Sequence, residues 1–383
     1  MDFDLQWLLL ALPVAFGLGW LASRLDLRQW RREQRDAPKA WYQGLNLLLN
    51  EQHDKAIDTF IEVVQQDPDT SELHFALGNL FRRRGEYERA VRVHEHLLAR
   101  GDLKKVDRDR AQHALAQDFM KAGLFDRAEQ AYKALAGTSF DSEARLALLA
   151  LHERARDWRA ALEIAGELER AGTGSFATRM AHHWCELAQE AEVRRDDAEA
   201  EAALALARDV APQMARPLVQ SVQRARCRAD HAAVIRWAET LLDKHPAEFN
   251  LVAREYAESA VAAGQTGAAM TRLQAAYRRA PGADLLAAMA ILDPDPARQR
   301  ARAAEHLQSQ PTLSAAQALL ATTVHEPLDS EQRSALRDAV AQAAKPLQRY
   351  RCVACGFEGP HHFWQCPGCL GWDTFPPQRV EEL

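Results

Sequence analysis

The chain has 383 residues, 47% hydrophobic and 27% charged, with a formal net charge of −6 at pH 7. That balance, with basic and acidic side chains interleaved, gives no electrostatic reason for a nucleic-acid partner. Four of its six cysteines crowd near the C-terminus in two C-x2-C pairs, which argues against a disulfide scaffold.

From Leu5 to Ala22 there is no charged residue, and Gln6 is the one strongly polar side chain. A helix of that length rises about 27 Å, enough to cross a slightly thin hydrocarbon core. Trp7 and Trp20 fall near its two interfaces, and Pro13, Gly17 and Gly19 are tolerated in such a helix. A cleaved signal peptide would start basic, whereas Asp2 and Asp4 precede this run. Arg24, Arg28, Arg31, Arg32 and Arg35 follow it, so the positive-inside rule predicts a cytoplasmic bulk. The expected division is a stub over 1–4, a transmembrane helix over 5–22 and a basic juxtamembrane segment over 23–36. Asp26, Glu33 and Asp36 dilute that last segment and weaken any specific lipid recognition.

Residues 37–345 repeat. Gly44, Ala56, Phe60 and Pro68 have the spacing of one tetratricopeptide unit, and Gly78 and Ala90 recur one period later with Leu77, Gly85 and Tyr87. Ala116, Gly123, Ala128 and Tyr132 give a third unit; Trp158, Ala161 and Leu168 mark a fourth. Ala188, Ala200, Leu204 and Pro212, then Ala238 and Pro246, then Gly264, Ala269, Leu273 and Pro281 continue the series, which weakens beyond residue 285. Small residues let paired helices approach, and proline stops the second helix of each pair. Such pairs bury their apolar faces only by stacking, which predicts an all-α solenoid with a concave inner surface. Standard repeat geometry places Phe75, Asn79, Arg82 and Arg83, then Arg110, His113, Gln117 and Lys121, on that surface. Hydrogen-bonding and cationic groups of this kind suit an acidic or C-terminal peptide segment, and a merely solvated stripe is the alternative.

Catalytic patterns are missing from the sequence: no phosphate loop, no nucleophile elbow, no zinc-protease helix. Gly172-Thr173-Gly174-Ser175 reads as a loop after a helix, and His182-His183 as packing or surface residues. The protein is expected not to be an enzyme.

The last segment, 346–383, carries Cys352-x2-Cys355-x10-Cys366-x2-Cys369. Paired C-x2-C turns aim four thiolates at one tetrahedral ion, iron or zinc, since both accept four sulfurs. Tyr350 to Phe357 and Trp364 to Trp372 together resemble a rubredoxin-type knuckle pair. Gly356 suits a left-handed backbone after a ligand, and Pro367 stiffens the second turn. Tyr350, Phe357, Trp364, Trp372 and Phe375 are expected to exclude water from the ion, and His361 and His362 to lie on the surface. So small a module draws much of its folding free energy from the metal. The short linker Lys345 to Arg349 places it against the last repeats.

A membrane span, a repeat solenoid and a terminal knuckle, in this order, resemble the lipopolysaccharide assembly protein B family of Gram-negative bacteria. The resemblance is carried by Trp7 to Trp20, by Trp41-Tyr42-Gln43-Gly44-Leu45-Asn46 and by Tyr350 through Trp372. It implies a non-enzymatic inner-membrane adaptor with a periplasmic stub, regulating lipopolysaccharide biosynthesis. The implied partners are the deacetylase that commits to lipid A synthesis, a membrane-anchored AAA+ zinc protease that degrades it, and an inner-membrane regulatory protein that blocks the adaptor. It also implies metal ligation by Cys352, Cys355, Cys366 and Cys369. Self-association as a homodimer stays open. The competing readings are a redox module on a protein-binding solenoid and a general envelope-assembly scaffold.

Overall fold

The computed structural model describes residues 71–310, 312–322 and 330–383, with isolated positions between 16 and 61. The span expected at Leu5–Ala22, the juxtamembrane segment and the first repeat from Gly44 to Pro68 lie almost wholly outside the described residues. Among the described residues, no helix is long and apolar enough to cross a membrane. The chain divides into two compact units, residues 1–156 and 157–383.

The first unit contains α1 (Ser71–Arg83), α2 (Tyr87–Ala99), α3 (Lys105–Ala122), α4 (Phe125–Lys133) and α5 (Asp141–Ala155). The small-residue register works as its spacing predicts: Ala90, Ala116 and Ala128 are fully buried. At Gly78 the approach is closer than any side chain allows, because a β-carbon there would sit 2.4 Å from Nε2 of His94. His94 is itself pinned, its Nδ1 lying 2.5 Å from Asp118, which also accepts from Arg82 at 2.8 Å. This buried network ties α1 and α2 to α3.

The second unit runs α6 (Trp158–Arg170), α7 (Ala177–Val193), α8 (Asp197–Val210), α9 (Arg216–Cys227), α10 (His231–Lys244), α11 (Ala253–Ala262) and α12 (Thr266–Arg279). Beyond residue 285, where the repeat pattern weakens, the chain remains helical in α13 (Ala283–Leu292), α14 (Pro296–Ser309), α15 (Leu313–Thr322) and α16 (Ser330–Ala344). The pairs α7–α8, α9–α10 and α11–α12 turn in the same way. One residue adopts the left-handed backbone, Arg195 at φ 61°, Ala229 at 55° or Gly264 at 70°. The next residue then begins the outer helix. Asp196 and Asp230 do so as N-caps, accepting the Glu199 and Ala233 amides at 2.9 and 3.0 Å. Such caps satisfy amides that have no partner inside the helix. Pro212, Pro246 and Pro281 follow the ends of α8, α10 and α12, where their missing N–H and ring stop helix growth. Leu168, Leu204, Leu241 and Leu273 are fully buried between helices, each contributing about 1.5–3 kcal/mol.

After α16 the chain leaves the helical pattern. Strands β1 (Tyr350–Arg351) and β2 (Glu358–Gly359) pair antiparallel, with Tyr350 opposite Gly359. Rather than resting on the last repeats alone, this module folds back along the second unit and reaches α7, 191 residues earlier in the chain.

Candidate metal centre and docked knuckle

Both cysteine pairs adopt the same turn. Cys352 N–H donates to the Phe357 carbonyl and Gly356 N–H to the Cys352 carbonyl, each at 2.9 Å. In the second turn Cys366 N–H donates to Gly371 at 2.8 Å and Leu370 N–H to Cys366 at 2.9 Å. The residue after each second cysteine is left-handed: Gly356 at φ 76°, as its lack of a β-carbon permits, and Leu370 at φ 59° despite its side chain. All four sulfurs lie within 4.8 Å of one another, with Cys352 to Cys369 at 3.9 Å and Cys355 to Cys366 at 3.6 Å. Metal–sulfur bonds of about 2.3 Å place tetrahedral sulfurs about 3.8 Å apart. The donor set therefore fits one ion, with its coordination shell closed.

Each turn buries its first cysteine and exposes its second: Cys352 and Cys366 are inside, Cys355 and Cys369 face solvent. Burial opposes ionisation of Cys352, but the Thr374 hydroxyl and the backbone amides of Cys355 and Ala354 outweigh it, bringing the thiol down to about 6. For Cys355 the Phe357 amide favours the thiolate, yet burial and the neighbouring sulfurs push it up to about 12. Crowded thiols resist losing every proton, and a cation in their midst removes that resistance.

The aromatic residues divide into two groups. Tyr350 and Phe375 are buried with Cys352 and Cys366, and Phe363 packs against this core. Phe357 and Phe363 each meet Phe375 edge-on, at 6.5 and 5.5 Å between ring centroids. Trp364 and Trp372, expected in the same shell, instead face the helices. Trp372 stacks on His182 of α7 at 4.3 Å and meets Trp158 of α6 edge-on at 6.4 Å. His362, expected on the surface, is partly buried: it bonds the Phe375 carbonyl at 3.0 Å and packs against Trp364. His361 is exposed, as expected.

The docking surface is organised by Arg216 at the start of α9, which is 2% exposed. Its guanidinium donates to Glu186 at 2.6 Å and to Nδ1 of His182 at 3.2 Å, and it lies 5.9 Å from the Trp364 ring and 5.7 Å from the Trp372 ring. Because Arg216 can only donate, Nδ1 of His182 must accept, and the ring's proton sits on Nε2, 2.8 Å from the Asp373 carboxylate. Burial lowers the His182 pKa below the ordinary 6.5 even though Asp373 opposes the shift. A neutral imidazole thus links the helix to the knuckle. The C-terminal segment adds a second anchorage. Arg379 pairs with Asp284 at 2.9 Å. Glu382 accepts the Ala283 amide at 3.2 Å and Glu381 the Ser314 amide at 3.3 Å, so two carboxylates cap the N-termini of α13 and α15.

Residues 350–377 match the rubredoxin metal binding domain model, and residues 73–106 match the tetratricopeptide repeat model. Lipopolysaccharide assembly protein B of Escherichia coli is 30% identical over 385 residues, covering 98% of this chain and 98% of its own. The chain belongs to the lipopolysaccharide assembly protein B family. The Haemophilus influenzae relative of the same name is 26% identical over 414 residues, covering 99% of both chains. Among solved structures, the Naa15/Naa10 complex with HypK aligns at a TM-score of 0.43 and 16% identity, over 82% of this chain and 47% of that one.

In this member of the lipopolysaccharide assembly protein B family, the residues predicted to face a client take different positions in the first unit. Phe75 is a correction: it is 2% exposed and lies beneath Arg110, whose guanidinium sits 4.1 Å from its ring. Arg82 is tied to Asp118 and to Asn79, the latter at 2.6 Å. Arg110 pairs with Glu72 at 2.7 Å. His113 stacks on Phe140 at 4.7 Å and reaches Gln117 at 3.4 Å. Arg83 and Lys121 are exposed. In the second unit His182 and His183 are both fully buried, the packing one of the two roles, packing or surface, expected of them. Sequence reasoning missed Arg216, Asp373 and the Glu381–Glu382 pair. Arg216 and Asp373 carry no local signal; the two glutamates following Arg379 could have been read as helix-capping groups. Cys185 is a core residue whose thiol burial pushes up to about 12, a protonated and inert group.

Proposed function

We propose that this protein is a membrane-tethered adaptor that limits lipopolysaccharide synthesis by presenting the lipid A-committing deacetylase to a membrane-anchored AAA+ protease. The observation that carries the reading is 30% identity, over an alignment covering 98% of the chain, to a relative named for lipopolysaccharide assembly. A helical solenoid with a thiolate site whose coordination is already complete supports a binding role and no chemical step. In this reading 1–4 is the periplasmic stub, 5–22 the inner-membrane anchor, 23–36 a basic juxtamembrane segment, 37–345 the solenoid and 346–383 the metal module. The anchor confines adaptor and protease to one membrane and raises their effective concentration. Cys352, Cys355, Cys366 and Cys369 hold one iron or zinc ion, which supplies folding free energy to the module. Arg83 and Lys121, exposed in the first unit, and the half-buried Asn79 and Gln117 beside them offer the client surface. Blockade by an inner-membrane regulatory protein belongs to the same proposal.

The test is the half-life of the deacetylase in a depletion strain. Complementation with the intact chain should restore rapid turnover, and a chain lacking residues 1–22 should not. Normal turnover in the depleted strain would overturn the reading.

A further inference from the structure

Thr374 touches both cysteine turns without being a ligand itself. Its methyl is wedged against the second turn: a β-carbon added at Gly371 would lie 2.9 Å from Cγ2 of Thr374. Its hydroxyl reaches the first turn and bonds the Cys352 sulfur. Its carbonyl accepts the Val353 amide of that same turn at 2.9 Å. A β-branched side chain has few χ1 choices, so the wedged methyl fixes where the hydroxyl points. The other acceptor within reach, the Gly371 carbonyl, is 3.4 Å away, at the limit of a hydrogen bond. Cys352 is 1% exposed, so its thiolate depends on protein donors where Cys355 and Cys369 have water. The residue before Thr374 is tied to the helices. Asp373 accepts from Nε2 of His182 on α7 at 2.8 Å, and its amide donates to the Trp364 carbonyl at 2.8 Å. Its backbone is left-handed at φ 53°, a conformation that a non-glycine residue keeps where its surroundings fix it.

Four thiolates around one divalent cation leave excess negative charge on the sulfurs, and donors to those sulfurs stabilise the loaded state. Given one ion held by the four cysteines, we infer that Thr374 is a positioning residue of the metal centre. Its hydroxyl holds the Cys352 thiolate in place, and Asp373 beside it carries the grip of α7 to that bond. Docking fixes Asp373, Asp373 fixes the Thr374 backbone, and the hydroxyl then meets a sulfur already held where the ion requires it. Linkage makes the effect reciprocal: a docked knuckle holds its ion more tightly, and a loaded knuckle docks more tightly by the same factor.

The experiment uses the full-length protein in detergent, with zinc affinity read by competition against a chromophoric chelator. Thr374→Val keeps the shape and loses the hydroxyl, and should weaken zinc binding by roughly tenfold to a hundredfold, the usual range for a group supporting a metal ligand. Thr374→Ser keeps the hydroxyl and loses the methyl, and should recover most of that loss. In the cobalt-substituted protein the sulfur-to-metal charge-transfer band should move to lower energy in Thr374→Val and not in Thr374→Ser, because an unbonded thiolate is the better electron donor. A threonine that merely packs gives the opposite order, with valine neutral, serine impaired and the band unmoved, and that result would overturn the inference. Thr374→Ala, which must show the same band shift, replaces the valine variant if that one does not fold. Asp373→Ala should weaken zinc binding in the native background and add little to Thr374→Val, since the two act through one bond; full multiplication of the two effects would overturn the coupling. Wild-type protein that takes up no zinc would overturn the four-cysteine reading and this inference with it, whereas wild-type affinity matched by Thr374→Val overturns the inference alone.

Discussion

Replacing Arg216 with Ala examines the docking surface at its centre. The guanidinium is buried, donates to Glu186 and His182, and lies under the rings of Trp364 and Trp372. Removing one member of a buried ion pair leaves the other uncompensated and typically costs about 3–5 kcal/mol. Glu186 is 22% exposed in its side chain and recovers some solvation, which favours the lower end. The lost cation–π contacts add about 1 kcal/mol, because centroid distances near 6 Å are at the limit of that interaction. A net loss of about 4 kcal/mol corresponds to roughly a thousandfold in the docked-to-undocked ratio. An undocked knuckle exposes its ligands, so metal transfer to a chromophoric chelator should accelerate by up to that factor, while the far-UV signal of the helices persists. Transfer within about fivefold of the wild-type rate, taking about 1 kcal/mol as the smallest meaningful effect, would refute the reasoning.

Acid should also loosen the knuckle. His182 and His362 have pKa values lowered by burial, so the unfolded chain takes up protons first. The stability these two groups contribute is full above the ordinary 6.5 and is lost as pH falls below it; tryptophan fluorescence should report undocking between neutral pH and pH 5, and a flat profile would contradict this. Leu370→Asn relieves a left-handed β-branch-free but still disfavoured backbone and should raise resistance to chelation by about 1 kcal/mol; increased metal loss would show that φ is not strained there. Gly78→Ala drives a methyl into the pinned His94 ring and should lower stability by about 1–3 kcal/mol in urea denaturation; an unchanged midpoint would mean the helices separate freely.

The sequence made the repeat register legible because its physics is local. Gly78, Ala90, Ala116 and Ala128 sit where helices cross, and Pro212, Pro246 and Pro281 sit where they end. The cysteine turns were legible for the same reason: two residues between ligands suffice to define the geometry. The misreadings arose where a side chain's role depends on a distant element. Phe75 occupies an inner-face position by spacing, but Arg110 from the next repeat covers it. Trp364 and Trp372 are apolar enough for an ion's shell, and only the arrival of α7 and α9 makes them docking groups. His362 looked like a surface neighbour of the cysteines because nothing local announced the Phe375 carbonyl that holds it. His182 and Asp373 are 191 residues apart, and no periodicity links them.

Hydrogen–deuterium exchange before and after removal of the metal tests the central claim most directly: that the knuckle is folded by its ion and docked on the second unit. Protection should fall together in residues 350–377, around His182 and Arg216, and at the first turns of α13 and α15. Loss confined to the knuckle, with those helix segments still protected, would contradict the account.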